Sequence, residues 1–294
     1  MKAIRWGVLL FLFLIPSAQA DIVFTNGLWT TTFNCAEQTW PPGDVSNCDG
    51  IVKALDGAYA SSITSAANFS GGAGGRGFLW KIGTDGSPSP IGSNLAFTWS
   101  GANHLWIRWY VRIPPGLSIG YEGPNIYGWK VLYLYNAAWN SSFYVNANYN
   151  GGGMSLYDGV STRHNRTYGI SDALGTTTSN GAWVGIEMEF DLQNGIWRYW
   201  IYAPGAPDHE TPDGSATGVN YPIALIQHIR FPENITSAGI SGAPVDLYLD
   251  DVAINLNGRN GPLGASPTPT PTPTPTPPAG SVSSMGGTFS GILK

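Results

Sequence analysis

Apolar and polar residues alternate along several segments of this chain with a period of two, the pattern of β-strands that bury one face. The clearest segment is 104–113, whose apolar set is Leu105, Ile107, Trp109, Val111 and Ile113. Segment 183–192 repeats the pattern. Further strands are predicted at 78–82, 95–99, 129–135, 142–149, 195–202, 223–230 and 245–256.

Turn-forming residues separate these runs and predict how the strands connect. Asn194 and Gly195 form the strongest hairpin signal, since this dipeptide suits the tight turn between antiparallel strands. The chain also holds 39 Gly and 22 Pro, which oppose long helices. We therefore expect an all-β fold in which two antiparallel sheets pack as a jelly-roll sandwich.

Charge and composition exclude two classes of protein. The 14 Lys and Arg residues are outnumbered by 19 Asp and Glu, and no basic cluster occurs, so a nucleic-acid partner is excluded. A hydrophobic content of 43% is too high for a disordered chain.

The ends of the chain differ in composition from its middle. Residues 1–20 have the pattern of a secretory signal, with a basic start, a short apolar core and the cleavage sequence Ala18-Gln19-Ala20. The apolar core is too short to cross a bilayer, so we expect a mature protein that is extracellular or periplasmic and outside the membrane. Residues 21–264 are predicted to form the sandwich domain, residues 265–278 a Pro-Thr linker, and residues 279–294 a disordered tail.

The chain contains two cysteines, Cys35 and Cys48. In an oxidising compartment, two cysteines so close in sequence favour a disulfide that closes a short loop. Two cysteines alone make a poor metal site, and no cofactor is expected. The acidic pair Asp250 and Asp251 could help to hold a Ca²⁺ ion, but such a pair more often serves as a hydrogen-bonding device at a strand edge.

The polar faces of the predicted strands combine aromatic, amide and charged side chains. Such a surface suits a polysaccharide, because aromatic rings contact the C–H groups of a sugar while polar side chains bind its hydroxyls. The candidate substrate-binding residues are Trp106, Arg108, Tyr110 and Arg112 on one strand, Tyr144, Asn146 and Asn148 on another, Glu187 and Glu189 on a third, and His228 and Arg230 on a fourth. Two arginines and a lysine near this face favour an acidic polysaccharide. The alternative is a second buried aromatic layer beneath a covering loop.

Five sequence runs together resemble a known family. They are LWIRWYVR (105–112), GWKVLYL (128–134), WVGIEME (183–189), NGIWRYWI (194–201) and YLDDVAI (248–254). They resemble secreted concanavalin A-like lectin and glucanase domains, especially bacterial ones related to polysaccharide lyases, over about residues 21–264. The resemblance implies a concave sheet that holds a polysaccharide chain. Its members include lectins, hydrolases and lyases, so the fold does not choose among them.

The first enzymatic hypothesis is β-elimination on a uronate polymer. This reaction needs a cation to neutralise the carboxylate, a base to remove the C5 proton and an acid for the leaving oxygen. Arg108 or Lys130 could neutralise the carboxylate, and Tyr144 or His228 could be the base, with a tyrosine as the acid.

Two further hypotheses remain open. Glu187, Glu189 and Asp191 alternate on one strand and could act as the paired carboxylates of a glycoside hydrolase. We prefer a structural role for them, in which the acids pair with Arg198 on the neighbouring strand. The third hypothesis is a non-catalytic carbohydrate-binding module on a Pro-Thr spacer.

Overall fold

The computed structural model describes residues 22–40, 48, 53–55, 61–69, 74–83, 91–92, 94–114, 118–119, 126–149, 153–157, 163–166, 181–203, 206–231, 234–236 and 245–263. The predicted signal segment, linker and tail lie outside these residues, so the domain boundaries stay predictions. In the described part of the chain, no helix is long and apolar enough to cross a membrane.

The described residues form nineteen strands and one 3₁₀ turn at Ser65–Ala67. The strands are β1 (Leu28–Thr31), β2 (Gln38–Trp40), β3 (Lys53–Leu55), β4 (Ser61–Thr64), β5 (Gly77–Gly83), β6 (Ile91–Gly92), β7 (Asn94–Ala102), β8 (His104–Arg112), β9 (Ser118–Ile119), β10 (Ile126–Tyr135), β11 (Ser142–Tyr149), β12 (Gly153–Tyr157), β13 (Arg163–Arg166), β14 (Trp183–Asp191), β15 (Ile196–Tyr202), β16 (Gly214–Thr217), β17 (Ile226–Phe231), β18 (Asn234–Thr236) and β19 (Val245–Asn255).

The strands form two sheets. Sheet I runs in the order β16-β15-β14-β8-β19-β5-β4-β2, with β1 paired to β19 and β6 paired to β5. Sheet II runs in the order β13-β12-β11-β10-β17-β7-β3, with β9 and β18 paired to β10. All pairings are antiparallel except β9 with β10. The predicted all-β, two-sheet jelly-roll sandwich is confirmed.

One face of each sheet packs against the other sheet to form the core. Trp109 of sheet I meets Phe231 of sheet II edge to face, with ring centroids 5.1 Å apart. Phe190 of sheet I lies 5.5 Å from Phe143 of sheet II. These side chains belong to the apolar sets of the alternating segments, so the period-two pattern determines which residues face the other sheet. The polar sets consequently lie on the two outer faces.

The hairpin predicted at Asn194-Gly195 joins β14 to β15, which pair from Asp191↔Ile196 onward. Gly195 has a φ of 63°, a conformation that glycine adopts without the steric cost of a side chain. The Asp191 carboxylate accepts hydrogen bonds from both the backbone N–H and the side-chain amide of Asn194, which closes the turn. Burial alone would raise the pKa of Asp191, but these bonds hold it below its usual value.

The predicted disulfide between Cys35 and Cys48 is present, with Cα atoms 5.6 Å apart. It closes a loop with a sequence separation of 13 residues. A loop of this length contributes about 3 kcal/mol by restricting the unfolded chain.

Candidate functional site

The outer face of sheet II carries a continuous group of aromatic and polar side chains, here called the tyrosine face. It comprises Tyr133, Tyr135, Trp139, Tyr144, Asn146, Tyr157, His228 and Arg230. The alternate residues of the same strands, such as Leu134 and Val145, are fully buried in the core. Because alternate side chains of a strand point to the same side, the outward-facing residues of β12, β11, β10 and β17 together form this face.

Backbone register places four members of the tyrosine face in one row across the sheet. Tyr157 pairs with Tyr144, Tyr144 with Tyr133, and Tyr133 with Arg230. The centroids of the Tyr133 and Tyr144 rings are 4.7 Å apart, and those of Tyr144 and Tyr157 are 4.8 Å apart. Tyr135 joins from the same strand, stacked 5.5 Å from Tyr133. The three tyrosines of the row and Arg230 are half-buried, so they contribute to the surface.

The turn between β10 and β11 carries Trp139 onto this face. Trp139 has a φ of 58°, a left-handed conformation that costs a residue with a side chain about 1–2 kcal/mol. The side-chain oxygen of Asn136 accepts hydrogen bonds from the backbone N–H groups of Asn140 and Ser141, which holds the turn in place. The Trp139 ring consequently lies 5.1 Å from the ring of Tyr135.

His228 lies beneath Trp139 and is only 6% exposed. The two rings stack with centroids 3.9 Å apart. Nε2 of His228 lies 3.1 Å from the carbonyl oxygen of Ala137, and Nδ1 lies 3.1 Å from the hydroxyl of Thr98. Because a carbonyl can only accept, Nε2 carries a proton and donates it. Both ring nitrogens are thus engaged within the protein, which argues against His228 as a free base and assigns it to positioning Trp139.

The remaining predicted residues of sheet II lie on β10 and β11. Lys130 and Asn146 are directly opposite in the backbone register. The Asn146 side chain is buried, whereas the side chains of Lys130 and Asn148 lie outside the described residues. Sheet II thus brings together Tyr144, Asn146, His228 and Arg230, with the backbone of Lys130 beside them.

The outer face of sheet I differs because the C-terminal strap, residues 256–263, crosses it. The carboxylate of Glu187 is fully buried and accepts hydrogen bonds from the backbone N–H groups of Asn260 and Gly261 and from the Asn260 side chain. The Tyr202 hydroxyl also donates to Glu187, at 2.8 Å. Burial and the Glu187 charge raise the pKa of Tyr202 well above its usual value, so it remains a donor.

Arg108, Tyr110 and Glu187 were predicted to contact substrate, but the strap covers all three. Arg108 donates to the carbonyl oxygen of Gly261 at 2.9 Å, and the Leu263 N–H donates to the Tyr110 hydroxyl at 2.6 Å. Arg108 and Tyr110 are only 8% and 1% exposed. The alternative of a buried layer beneath a covering segment is correct here. Arg108 lies on the outer face of sheet I and Tyr144 on the outer face of sheet II, so the two side chains cannot contact the same sugar.

Beyond the strap, the sheet I face holds an ion-pair network. Glu189 accepts hydrogen bonds from Arg198 at 2.8 Å and pairs with His104 at 2.9 Å. Trp106 is half-buried and lies against His104, with ring centroids 4.1 Å apart. The expected pairing of an acid with Arg198 is therefore confirmed for Glu189. Because Glu187 holds the strap and Glu189 and Asp191 are bound within the sheet, the geometry does not favour a hydrolase carboxylate pair.

Arg112, also predicted to bind substrate, contacts its own fold. Its guanidinium lies 4.0 Å from the centre of the Tyr248 ring and 5.4 Å from that of Trp183, and it donates to the carbonyl oxygen of Ala66. The cation–π contacts fix the guanidinium on sheet I, and its hydrogen bond to Ala66 holds the 3₁₀ turn against that sheet. A role in substrate binding is therefore less well supported for Arg112 than for Arg230.

The acidic pair Asp250 and Asp251 lies at a register shift in β19. The carboxylate of Asp250 accepts hydrogen bonds from the N–H groups of Phe69 and Asp251, as expected for a hydrogen-bonding device in a strand. Within the described residues, no group of three or more His, Cys, Asp or Glu side chains could hold a metal ion. Binding of Ca²⁺ at this pair stays an untested prediction.

Four members of the tyrosine face, namely Tyr133, Tyr135, Trp139 and Tyr157, were not among the residues predicted from the sequence. Tyr133 and Tyr135 lie two residues apart in a predicted strand, so their alternation could have revealed them. Tyr157 lies in β12, a short strand that the alternation of apolar and polar residues did not predict. Trp139 lies in a turn, where alternation gives no information.

No protein-family model and no curated protein sequence matches this chain. Solved structures resemble it. A botulinum neurotoxin type C structure, described for cell entry through interaction with two ganglioside molecules, has a TM-score of 0.45 and 12% identity over 78% of this chain and 49% of the toxin chain. The receptor-binding domain of botulinum neurotoxin type G gives 0.43 and 15% over 76% and 48%. The glycoside hydrolase family 131 catalytic domain from Coprinopsis cinerea gives 0.45 and 12% over 68% and 80%.

This chain thus spans about half the length of the two toxin chains. At these TM-scores and identities, the similarity provides no evidence about what the chain binds or catalyses.

Proposed function

We propose that this chain is an exported protein that binds a polysaccharide through the tyrosine face of sheet II. The observation that carries the proposal is the row Tyr157, Tyr144, Tyr133 and Arg230, held in register across four strands. Tyrosine combines an apolar ring with a hydroxyl that both donates and accepts, which matches the mixed surface of a sugar.

Two features of the tyrosine face support binding rather than packing. Trp139 is held in a strained backbone conformation on a buried histidine, and such strain is more common at functional sites than elsewhere. Arg230 is half-buried at the end of the row, where a guanidinium can bind a carboxylate through two parallel hydrogen bonds. An acidic polysaccharide is therefore the preferred ligand class.

Export is supported by the signal-like residues 1–20 and by the disulfide near the predicted mature N-terminus. The Pro-Thr segment that follows the sandwich would then separate the glycan-binding domain from whatever the tail contacts.

A uronate lyase is the catalytic form of this proposal. Lys130, on the strand next to Tyr144, would neutralise the uronate carboxylate, and Tyr144 in its deprotonated form would remove the C5 proton. The electrons of the C5–H bond form the C4–C5 double bond, the C4–O bond breaks, and a neighbouring tyrosine such as Tyr133 protonates the leaving oxygen. Lys130 is opposite Asn146, which lies two residues from Tyr144 on the same strand, so a cation and a base could act on one uronate while Arg230 holds the carboxylate of another.

The test is a screen of the mature chain against immobilised uronate-containing and neutral glycans, with the absorbance of unsaturated product recorded in parallel. Arg230→Ala should weaken retention on uronate polymers by at least tenfold. The matched control Arg198→Ala, which removes an exposed arginine from sheet I, should not.

Each outcome has a definite meaning. Retention with product supports the lyase, whereas retention without product supports a non-catalytic binding module. If no glycan is retained, or if both arginine variants behave alike, the proposal is wrong.

A further inference from the structure

The tyrosine row has a geometry that restricts how it can contact a sugar chain. The planes of the Tyr133 and Tyr144 rings are inclined by 26°, and those of Tyr144 and Tyr157 by 31°, at centroid separations below 5 Å. Tyr144 therefore has a neighbouring ring on each face. A sugar could stack on the face of Tyr144 only by separating this array.

The accessible part of the row is consequently its outer edge. Side chains on a strand stand roughly perpendicular to the sheet, so the ring ends that bear the hydroxyls point away from the backbone. A phenol hydroxyl both donates and accepts, so an internal partner does not exhaust its capacity. The ring separations of 4.7 and 4.8 Å follow from the strand spacing, which makes the row a periodic line of hydrogen-bonding groups.

The row of tyrosines lies between two arginines in the register. Arg230 pairs with Tyr133 at the β17 end, and its guanidinium lies 3.5 Å from the Tyr135 hydroxyl and 5.8 Å from the centre of that ring. A bound acidic chain would therefore place a carboxylate at the β17 end. At the other end of the row, Tyr157 pairs in the backbone register with Arg163 of β13.

We infer that the tyrosine face recognises a linear, extended uronate chain that crosses the strands with one sugar residue per strand. The tyrosines bind by their hydroxyl edges rather than by ring stacking, and Arg230 holds a carboxylate at one end. This inference rests on the proposed function and adds the shape of the ligand and the mode of contact.

The test measures the affinity of the mature chain for oligo-uronates of increasing length by calorimetry. Affinity should rise with each added residue up to about five residues, one for each strand from β13 through β17 in the order of sheet II, and then level off. Tyr144→Phe should weaken binding of the tetramer about fivefold, as expected for one lost hydrogen bond. Tyr248→Phe, a half-buried tyrosine on the outer face of sheet I, is the matched control and should bind as the parent does.

Melting curves of both variants establish that they remain folded. If Tyr144→Phe binds the tetramer as tightly as the parent, ring stacking carries the contact and the inference is overturned, while glycan binding itself stands. Affinity that does not depend on oligomer length also overturns it. If the parent retains no glycan of any kind, the proposed function is wrong and the inference with it.

Discussion

Glu187 is expected to be the strongest single anchor of the C-terminal strap. Its side chain is 0% exposed, and its two oxygens accept four hydrogen bonds, two from backbone N–H groups of the strap. In Glu187→Gln one oxygen becomes an amide nitrogen, which can only donate. Because the Asn260 N–H donates to Oε1 and the Gly261 N–H to Oε2, the amide nitrogen of the glutamine faces a backbone N–H in either orientation, and two donors then meet without an acceptor.

The magnitude follows from these contacts. The substitution loses two hydrogen bonds to a charged acceptor, each contributing about 1.5–3 kcal/mol, and leaves at least one buried donor unsatisfied. We expect the free energy of unfolding to fall by about 3–5 kcal/mol, as when a buried charge network is broken. For a domain of this size, that corresponds to a decrease in Tm of about 6–20 °C.

Thermal and urea unfolding of the mature chain would measure the effect. Glu210→Gln is the matched control, since Glu210 is exposed and its backbone carbonyl, which the substitution leaves in place, accepts a hydrogen bond from the indole N–H of Trp200. The control should change stability by less than about 0.5 kcal/mol. A Glu187→Gln protein as stable as this control would show that the strap is not fastened by the carboxylate.

Three further predictions concern stability. Burial raises the pKa of Asp250 from 3.8 to about 8, so between these pH values the folded state keeps a proton that the unfolded state has lost. The free energy of unfolding should therefore fall as pH rises through this range, by up to about 1.4 kcal/mol per pH unit. Urea titrations of Asp250→Asn should show a flatter pH dependence, and an unchanged slope would refute the assignment. Replacing Cys35 and Cys48 by serine should cost about 3 kcal/mol in urea unfolding, and a loss below about 1 kcal/mol would contradict the loop-closure argument. Gly77→Ala should lower the free energy of unfolding by about 1–3 kcal/mol, because the added Cβ would clash with the backbone carbonyls of Ala67 and Leu249. In Gly75→Ala the added Cβ meets no atom within 4 Å, so this control should leave the free energy of unfolding unchanged in the same urea experiments.

The alternation of side chains predicted the fold and the partition of each long strand between core and outer face. It placed Trp109 and Arg108 on opposite faces of β8 correctly, because the period of a strand is a local property. The hairpin at Gly195 and the Cys35–Cys48 disulfide were also local signals and are confirmed.

Arg108 and Tyr110, which were predicted to bind substrate, are covered for a nonlocal reason. Two outer faces carry aromatic and charged residues, and alternation cannot show which of them another segment covers. The strap contacts Arg108 through Gly261, 153 positions later in the chain, and the strap residues follow no strand pattern. The tyrosine row was only partly predicted, because it depends on the register of β12, β11, β10 and β17.

The central claim is that the glycan binds to sheet II and not to sheet I. Hydroxyl-radical footprinting of the mature chain, with and without a retained glycan, measures this directly through the oxidation of individual side chains. We predict protection of Tyr133, Tyr144 and Tyr157 on sheet II, with no change at Trp106 or Trp183 on sheet I. Protection of Trp106 and Trp183 with unchanged oxidation of the three tyrosines would contradict the account.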